Sequence, residues 1–359
     1  MTKPRILVTT AGGKTGMPTA LQLLEKSYPV RAFMRAEDGR SAALRKAGAE
    51  IFIGDLYDMA DMRRAMKDCQ RAYYCAAPSA NAVYGGAVFA VAAQEARLEH
   101  VVALSQWLAD PLHPSFATRQ VWLTDAFLKW MPDVSVTINN VGWFADNYMY
   151  MMEPAAQLGL LPMPLGDGLN APPSNEDIAA VTVGALIDPA RHAGKVYRPT
   201  GPKLLNPQEI AGTFGKVLGR KVRYRNIPDK MFHKALKSRG FPAFLRTQLV
   251  YYVEEYRRGT FAAGAPSDAV RDVGGREPED FETIVRRYAA RQPDAVRSIG
   301  NKVRAALGFG KILITPAPDN AAEERDQDHV LISKSHFAPE SAEWLASHAS
   351  AKPKLVAAE

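Results

Sequence analysis

The sequence predicts an α/β fold: a doubly wound parallel sheet with a smaller, mainly helical second lobe. Two observations carry this. Apolar runs of strand length alternate with helical patterns as far as Asn140, and such alternation implies parallel strands joined by right-handed crossovers. The stretch "VTTAGGKTG", Val8 to Gly16, also places a glycine-rich turn directly behind the apolar run Ile6-Leu7-Val8. Ligands of these sheets bind there, beyond the carboxyl ends of the strands.

In order, the strands are expected at Arg5–Thr9, Val30–Met34, Glu50–Ile53, Ala72–Ala76, Val101–Ser105 and Val134–Asn139. Between them, apolar residues recur with helical spacing over Met17–Lys26, Arg40–Ala47, Met59–Met66, Asn81–Ala96 and Arg119–Met131. After Asn140 the alternation breaks. Gly142 to Asn175 is rich in Met, Gly and Pro and reads as irregular chain over a pocket. A helix at Asp177–Ile187 and a strand at Lys195–Pro199 return to the sheet. Helices at Pro207–Leu218, Asp229–Lys237, Ala243–Arg258 and Glu279–Arg291, with a short strand at Lys221–Arg225, build the second lobe. Asp294–Leu307 is amphipathic, Pro316–Asp328 is polar and expected to be mobile, and Glu340–Ser347 reads as a last short helix.

The composition bounds the function. A chain of 359 residues with 47% hydrophobic and 23% charged residues can bury a sizeable core. A net charge of +7, from 45 Lys+Arg against 38 Asp+Glu, favours phosphorylated ligands but is too dispersed to argue for nucleic acid. Only Cys69 and Cys75 are present, without metal-like spacing, so no metal is expected and a reducing cytoplasm suits the chain. A strand beginning by Arg5 leaves no room for a signal peptide, and no membrane span or membrane partner is expected.

Two phosphate loops compete for the opening turn. An ATPase P-loop ending in Gly13-Lys14-Thr15 needs its first glycine at position 8, which is Val8 inside the strand. A dinucleotide turn with glycines at positions 10, 13 and 16 finds Gly13 and Gly16, with Thr10 in the first place and an extra Gly12. Gly13 lets the backbone approach a pyrophosphate and Gly16 lets the helix pack on the strand. The turn is a dinucleotide turn. Arg35, at the end of the second strand, suits the 2′-phosphate of NADP, with Lys14 as a second cation. Glu37 and Asp38 follow closely, as the acid of an NAD site or simply a helix N-terminus. In "GDLYD", Asp55 and Leu56 suit the adenine edge and face, or Asp55 is a plain helix cap. Ala76, Ala77 and Val141, at further strand ends, complete the candidate cofactor contacts together with Thr10, Gly12 and Thr15.

With these parts the chain resembles the NmrA-like branch of the atypical short-chain dehydrogenases/reductases, particularly members related to NADPH quinone oxidoreductases and triphenylmethane reductases. The carriers are the glycine turn, Arg35, "GDLYD", "NNVGWFADNY" and the long stretch "NEDIAAVTVGALIDPARHAGKVYRPTGPKLLNPQEIAGTFGKVLGRKV", within roughly residues 4 to 290. The resemblance implies a Rossmann-type NADP(H)-binding domain over residues 1–141 and 176–200. A substrate lobe would comprise 142–175 and 201–291, and residues 292–359 a C-terminal extension, in part mobile. The catalytic pattern departs from ordinary short-chain reductases. None of the 13 tyrosines has a lysine four residues later, so the usual tyrosine acid is missing. Ser105 sits where a serine helps bind substrate or nicotinamide, and Arg119 stands in the region where some relatives place a lysine. Arginine stays charged, so Arg119 is expected to hold cofactor or polarise an oxygen but is a poor proton donor.

The remaining candidates each have a bland reading. His113 is the missing acid or a surface-loop histidine. Asp125 is expected to pair with a nearby cation. Trp107, Trp122 and Trp143 stack on an aromatic acceptor or fill the core. Asn147 and Tyr148 contact substrate at the mouth of the second lobe. Met149, Met151 and Met152 form an adaptable apolar wall or simple core. The basic residues of Arg220–Arg239 form a solvated helical face.

The function expected is an NADPH-dependent oxidoreductase passing hydride to a small, apolar conjugated acceptor such as a quinone or enone, with the proton taken from water. The alternative is an NADP(H)-binding redox sensor without turnover, as the namesake regulator of the family is, working through a regulatory protein partner or a homo-oligomer. A dehydrogenase or lyase-like role in aromatic catabolism is a third option. Deletion after Thr315 is expected to leave cofactor binding unchanged.

Overall fold

The computed structural model of the protein describes residues 3–76 and 78–349. Ile6, Leu7 and Val8 are wholly buried because β1 (Ile6–Val8) is an inner strand, flanked by a parallel neighbour on each side. From it the chain runs through α1 (Gly16–Glu25), β2 (Val30–Met34), α2 (Gly39–Lys46), β3 (Glu50–Ile53), α3 (Met59–Met66), β4 (Arg71–Tyr74), α4 (Ala82–Glu95), β5 (His100–Gln106), α5 (Phe116–Lys129) and β6 (Ser135–Val141). Next come α6 (Met152–Leu158), β7 (Leu160–Met163), α7 (Asn175–Ile187), α8 (Pro189–His192) and β8 (Val196–Tyr197). The seven-stranded sheet has the order β3-β2-β1-β4-β5-β6-β8, all parallel. The strand order reverses between β1 and β4. That is the switch point, and a crevice opens there at the carboxyl ends.

Local chemistry explains where the helices begin. Asp38 accepts from Arg40 N and Ser41 N to start α2, Ser115 caps α5, and Ser174 caps α7. Asn206 and Glu209 form a reciprocal capping pair in front of Pro207. The second lobe follows as α9 (Pro207–Leu218), β9 (Arg223–Asn226), α10 (Asp229–Ser238), α11 (Ala243–Arg257), α12 (Ala269–Asp272) and α13 (Phe281–Arg291). Its core gathers Trp143, Tyr148, Phe214, Tyr256 and Phe281.

Two expectations change. Residues 142–175 are not irregular throughout, since they contain α6 and β7, and β7 pairs in parallel with β9. That pairing joins Leu160 to Arg223, a partner too distant in sequence to leave a local pattern. The C-terminal extension forms α14 (Ile299–Ile314), α15 (Asn320–Asp326) and α16 (Ala342–His348). Within the segment expected to be polar and mobile, Glu324 is buried and accepts a hydrogen bond from Tyr251. Trp344 is buried in the core of the second lobe and donates its indole N–H to the Trp107 carbonyl at 2.8 Å.

Candidate functional site

The glycine turn is shaped by close contacts. Thr10, in the first glycine place, has φ +50°, a left-handed conformation that strains a β-branched residue. Its hydroxyl donates to the Cys75 carbonyl and ties the turn to the end of β4. A side chain at Gly13 would put its first carbon 2.9 Å from the Thr10 carbonyl oxygen, and one at Gly16 only 2.3 Å from that atom. Both positions need glycine because backbone passes over backbone. Thr15, the residue before α1, makes no side-chain cap, so the helix N-terminus presents its amides to an anion. A dinucleotide pyrophosphate fits this cradle.

At the end of β2 the two acids are already engaged. Asp38 caps α2 and holds the Arg40 guanidinium, while Glu37 pairs with Arg45. Arg40 reaches back over the glycine turn to donate to the Gly12 carbonyl at 3.1 Å. Arg35 is exposed and makes no ion pair among the described residues. This arrangement offers a cation, not a free carboxylate, to the ribose. Replacing Arg35 by Ala is expected to weaken NADPH binding by about 1–3 kcal/mol and to leave NADH binding unchanged. Calorimetric titration with both cofactors checks this, and equal losses for the two would refute the assignment. Asp55 is exposed and closes a local turn by accepting from Tyr57 N, while Asp58 caps α3. Leu56 packs beside the core under α3.

Beyond the turn opens a cavity of about 890 Å³. Its floor is formed by Thr10, Gly13, Lys14 and Thr15, with Cys75 and Ala76 after β4, Ser105 in β5 and Val141 in β6. Trp143, Asn147 and Met151 continue the wall, and Met231, Phe232, Leu249 and Tyr252 of α10 and α11 close it opposite. Phe309 and Ile312 of α14 complete the enclosure. Ala77 lies outside the described residues.

Three acids, Asp125, Asp146 and Glu153, stand in this mostly apolar wall, and Asp146 is taken by Lys14. Asp125 on α5 is buried, and its carboxylate accepts from the Ser105 hydroxyl at 2.5 Å. Burial pushes its pKa up to about 7, opposed by the Ser105 bond and by Lys129. No cation reaches ion-pair distance of Asp125 among the described residues, and Lys129, four residues on, acts on it only at longer range. A carboxylic acid next to a hydroxyl, half-protonated near neutrality, can deliver a proton into the cavity.

An NAD(P)H-binding family model matches residues 11–137, and the NmrA-like family model matches residues 134–280. The chain thus carries an NAD(P)H-binding and an NmrA-like family-model domain, each over less than half of its length. The chain is 26% identical over 286 residues to a (4-alkanoyl-5-oxo-2,5-dihydrofuran-3-yl)methyl phosphate reductase of Streptomyces griseus, covering 77% of the chain and 95% of the relative. It is 33% identical over 113 residues to quinone oxidoreductase 2 of Escherichia coli, spanning 32% of the chain but only 39% of that enzyme. Its fold matches an NADPH-dependent quinone oxidoreductase of Escherichia coli, solved with NADPH, with a TM-score of 0.69 and 23% identity, covering 78% and 98% of the two chains.

Several residues expected in the site lie elsewhere. His113 is wholly buried away from the cavity wall. Its Nε2 meets the Glu255 carboxylate at 2.9 Å and its Nδ1 accepts from Ser115 N, so neither nitrogen is free to serve as the acid. Arg119 is also buried. It donates to the His113 and Pro114 carbonyls and to Val330 of the C-terminal extension, which makes it a clamp and not a cofactor ligand. Tyr148 is locked in the core by Tyr256 at 2.8 Å and Asn170 at 3.0 Å. Trp107 donates to the Thr260 carbonyl and faces the core. Lys14 lines the cavity, but its ammonium pairs with Asp146 of the second lobe, far from Arg35 in the chain, and lies 3.2 Å from the Tyr150 hydroxyl. Burial opposes that charge, and Asp146 outweighs it and raises the Lys14 pKa. Arg40 and the α14 wall carried no sequence motif, because each acquires its place only through tertiary contact.

Proposed function

We propose that this NAD(P)H-dependent oxidoreductase transfers hydride to an apolar, conjugated acceptor of the quinone or enone type, with Asp125 and Ser105 as the proton source. The observation that carries the reading is the buried Ser105–Asp125 pair at the end of β5, set in an otherwise largely apolar cavity that begins at the glycine turn. When bound, reduced nicotinamide supplies the hydride, two electrons with one hydrogen, to the acceptor carbon. The chain supplies the rest. Arg35 and the uncapped start of α1 hold the phosphates, and Trp143 and Met151 confine an apolar ring. As charge develops on the acceptor oxygen, the Ser105 hydroxyl passes a proton to it and is resupplied by Asp125, so the acceptor gains two electrons and two hydrogens. Protonation from bulk water, expected from the sequence, is unnecessary with an acid of raised pKa in the wall. The Streptomyces griseus relative, named for a dihydrofuran bearing oxo and alkanoyl groups, supports an acceptor conjugated to a carbonyl.

The test is NADPH oxidation at 340 nm against a panel of benzoquinones, naphthoquinones, cyclic enones and saturated ketones. Turnover of the conjugated acceptors and none of the saturated ketones is expected. Tight NADPH binding with no turnover of any acceptor would instead favour a cofactor-sensing protein.

A further inference from the structure

Helix α14 has an apolar face left uncovered among the described residues. Ile299, Val303, Leu307 and Ile314 recur at spacings that place them on one stripe. They are 85%, 51%, 69% and 83% exposed. The opposite face holds the buried Ala305 and the cavity residues Gly308 and Ile312. Such a helix is apolar both toward the site and toward solvent, which a freely diffusing surface does not require.

The charge around the stripe identifies the partner. No Asp or Glu occurs between Ala295 and Pro318, whereas Arg297, Lys302, Arg304 and Lys311 do. On the helix, Lys302 flanks one edge of the stripe and Lys311 the other, with Arg304 beside Lys311 but paired with Asp294 at 3.0 Å. Helix α10 packs alongside and adds Lys234, whose ammonium donates to the Leu313 carbonyl at 2.7 Å, and Lys230. An apolar stripe bordered on both sides by cations is the pattern of a helix lying in the plane of an anionic bilayer surface. A second copy of the chain would instead bring like charges together. At 16 residues, α14 is also shorter than the roughly 20 needed to cross a bilayer.

We propose that the outer face of α14 docks on an anionic lipid surface, so that the helix walling the cavity rests where lipophilic acceptors are dissolved. The sequence led to no expectation of a membrane partner, because the apolar stripe is amphipathic and short. Docking goes beyond the hydride-transfer reading, and vesicle binding tests it without turnover, so either can fail alone.

The experiment is co-sedimentation of the full chain with vesicles of phosphatidylcholine, or of phosphatidylcholine and phosphatidylglycerol in equal parts. About tenfold or greater preference for the anionic vesicles is expected, lost in high salt. An Ile299→Asp/Leu307→Asp variant should lose binding, as should Arg297→Glu/Lys302→Glu. Both should keep the melting temperature and the solution affinity for NADPH, since these side chains are exposed and outside the cavity. A Leu307→Trp variant, with the indole emission shifting to the blue only on anionic vesicles, reads insertion directly. Absence of binding to anionic vesicles, undiminished binding by the double aspartate variant, or a solution dimer that this variant dissociates would each overturn the proposal.

Discussion

Replacing Asp125 with asparagine is expected to lower the turnover number by roughly 10²-fold or more, the contribution of a positioned general acid, and to leave NADPH affinity unchanged. Asparagine fills the same volume and can still hydrogen-bond Ser105, so geometry survives and only the proton is lost. The pH dependence follows from the same group. Because burial raises the Asp125 pKa to about 7, the acid form predominates below that value and disappears above it. Turnover should therefore fall as pH rises through about 7 in the native protein, and the Asp125→Asn profile should be flat there. Ser105→Ala should share the loss, since the hydroxyl lies between acid and acceptor. A drop smaller than about tenfold with an unaltered pH profile would return the proton to bulk water.

Deletion of the chain after Thr315 is expected to abolish the folded second lobe, and NADPH binding with it, contrary to what the sequence led one to expect. The lost segment contains Trp344, whose removal alone costs about 3–5 kcal/mol by analogy with other buried aromatics. It also contains Val330 and Ala338, which partner the buried Arg119 and Glu255. Leaving buried charged groups short of partners adds about 1–3 kcal/mol each, against a total stability of about 5–15 kcal/mol for a typical protein. Trp344→Ala is the graded version: a lower melting temperature with cofactor binding retained at low temperature. Circular dichroism and calorimetry of both forms decide the matter. A truncated protein that melts and binds NADPH like the full chain would show that the extension is dispensable.

The sheet was legible because its signals are local. Strand Val30–Met34 and helices Met59–Met66 and Pro207–Leu218 have the bounds that apolar periodicity gave them. The residues that reached the cavity include those that geometry places at strand ends whatever their partners, Ser105, Val141 and Trp143, while Asn147 and Met151 follow on the 3-10 turn Ala145–Met151 after β6. The misplaced ones were decided by contacts far away in the chain. His113 is claimed by Glu255, 142 residues on, and Arg119 by Val330, 211 residues on. Asp125 was underrated for the same reason, since its burial and its bond to Ser105 arise only when α5 packs on β5. The segment Pro316–Asp328 is expected from its polarity to be mobile, yet its Glu323 and Glu324 are answered by Arg246 and Tyr251 on α11.

The ion pair between Lys14 and Asp146 sets a timetable for biosynthesis. The glycine turn is complete once Gly16 has been made, but the acid that fixes its lysine comes 132 residues after Lys14. Tyr288, whose hydroxyl donates to the other oxygen of that acid, comes a further 142 residues later. A chain emerging from the ribosome in N-to-C order thus presents its phosphate cradle long before the far wall exists. A nucleotide meeting the nascent protein finds an open shelf, and only a chain extended through α14 gives that shelf its far wall.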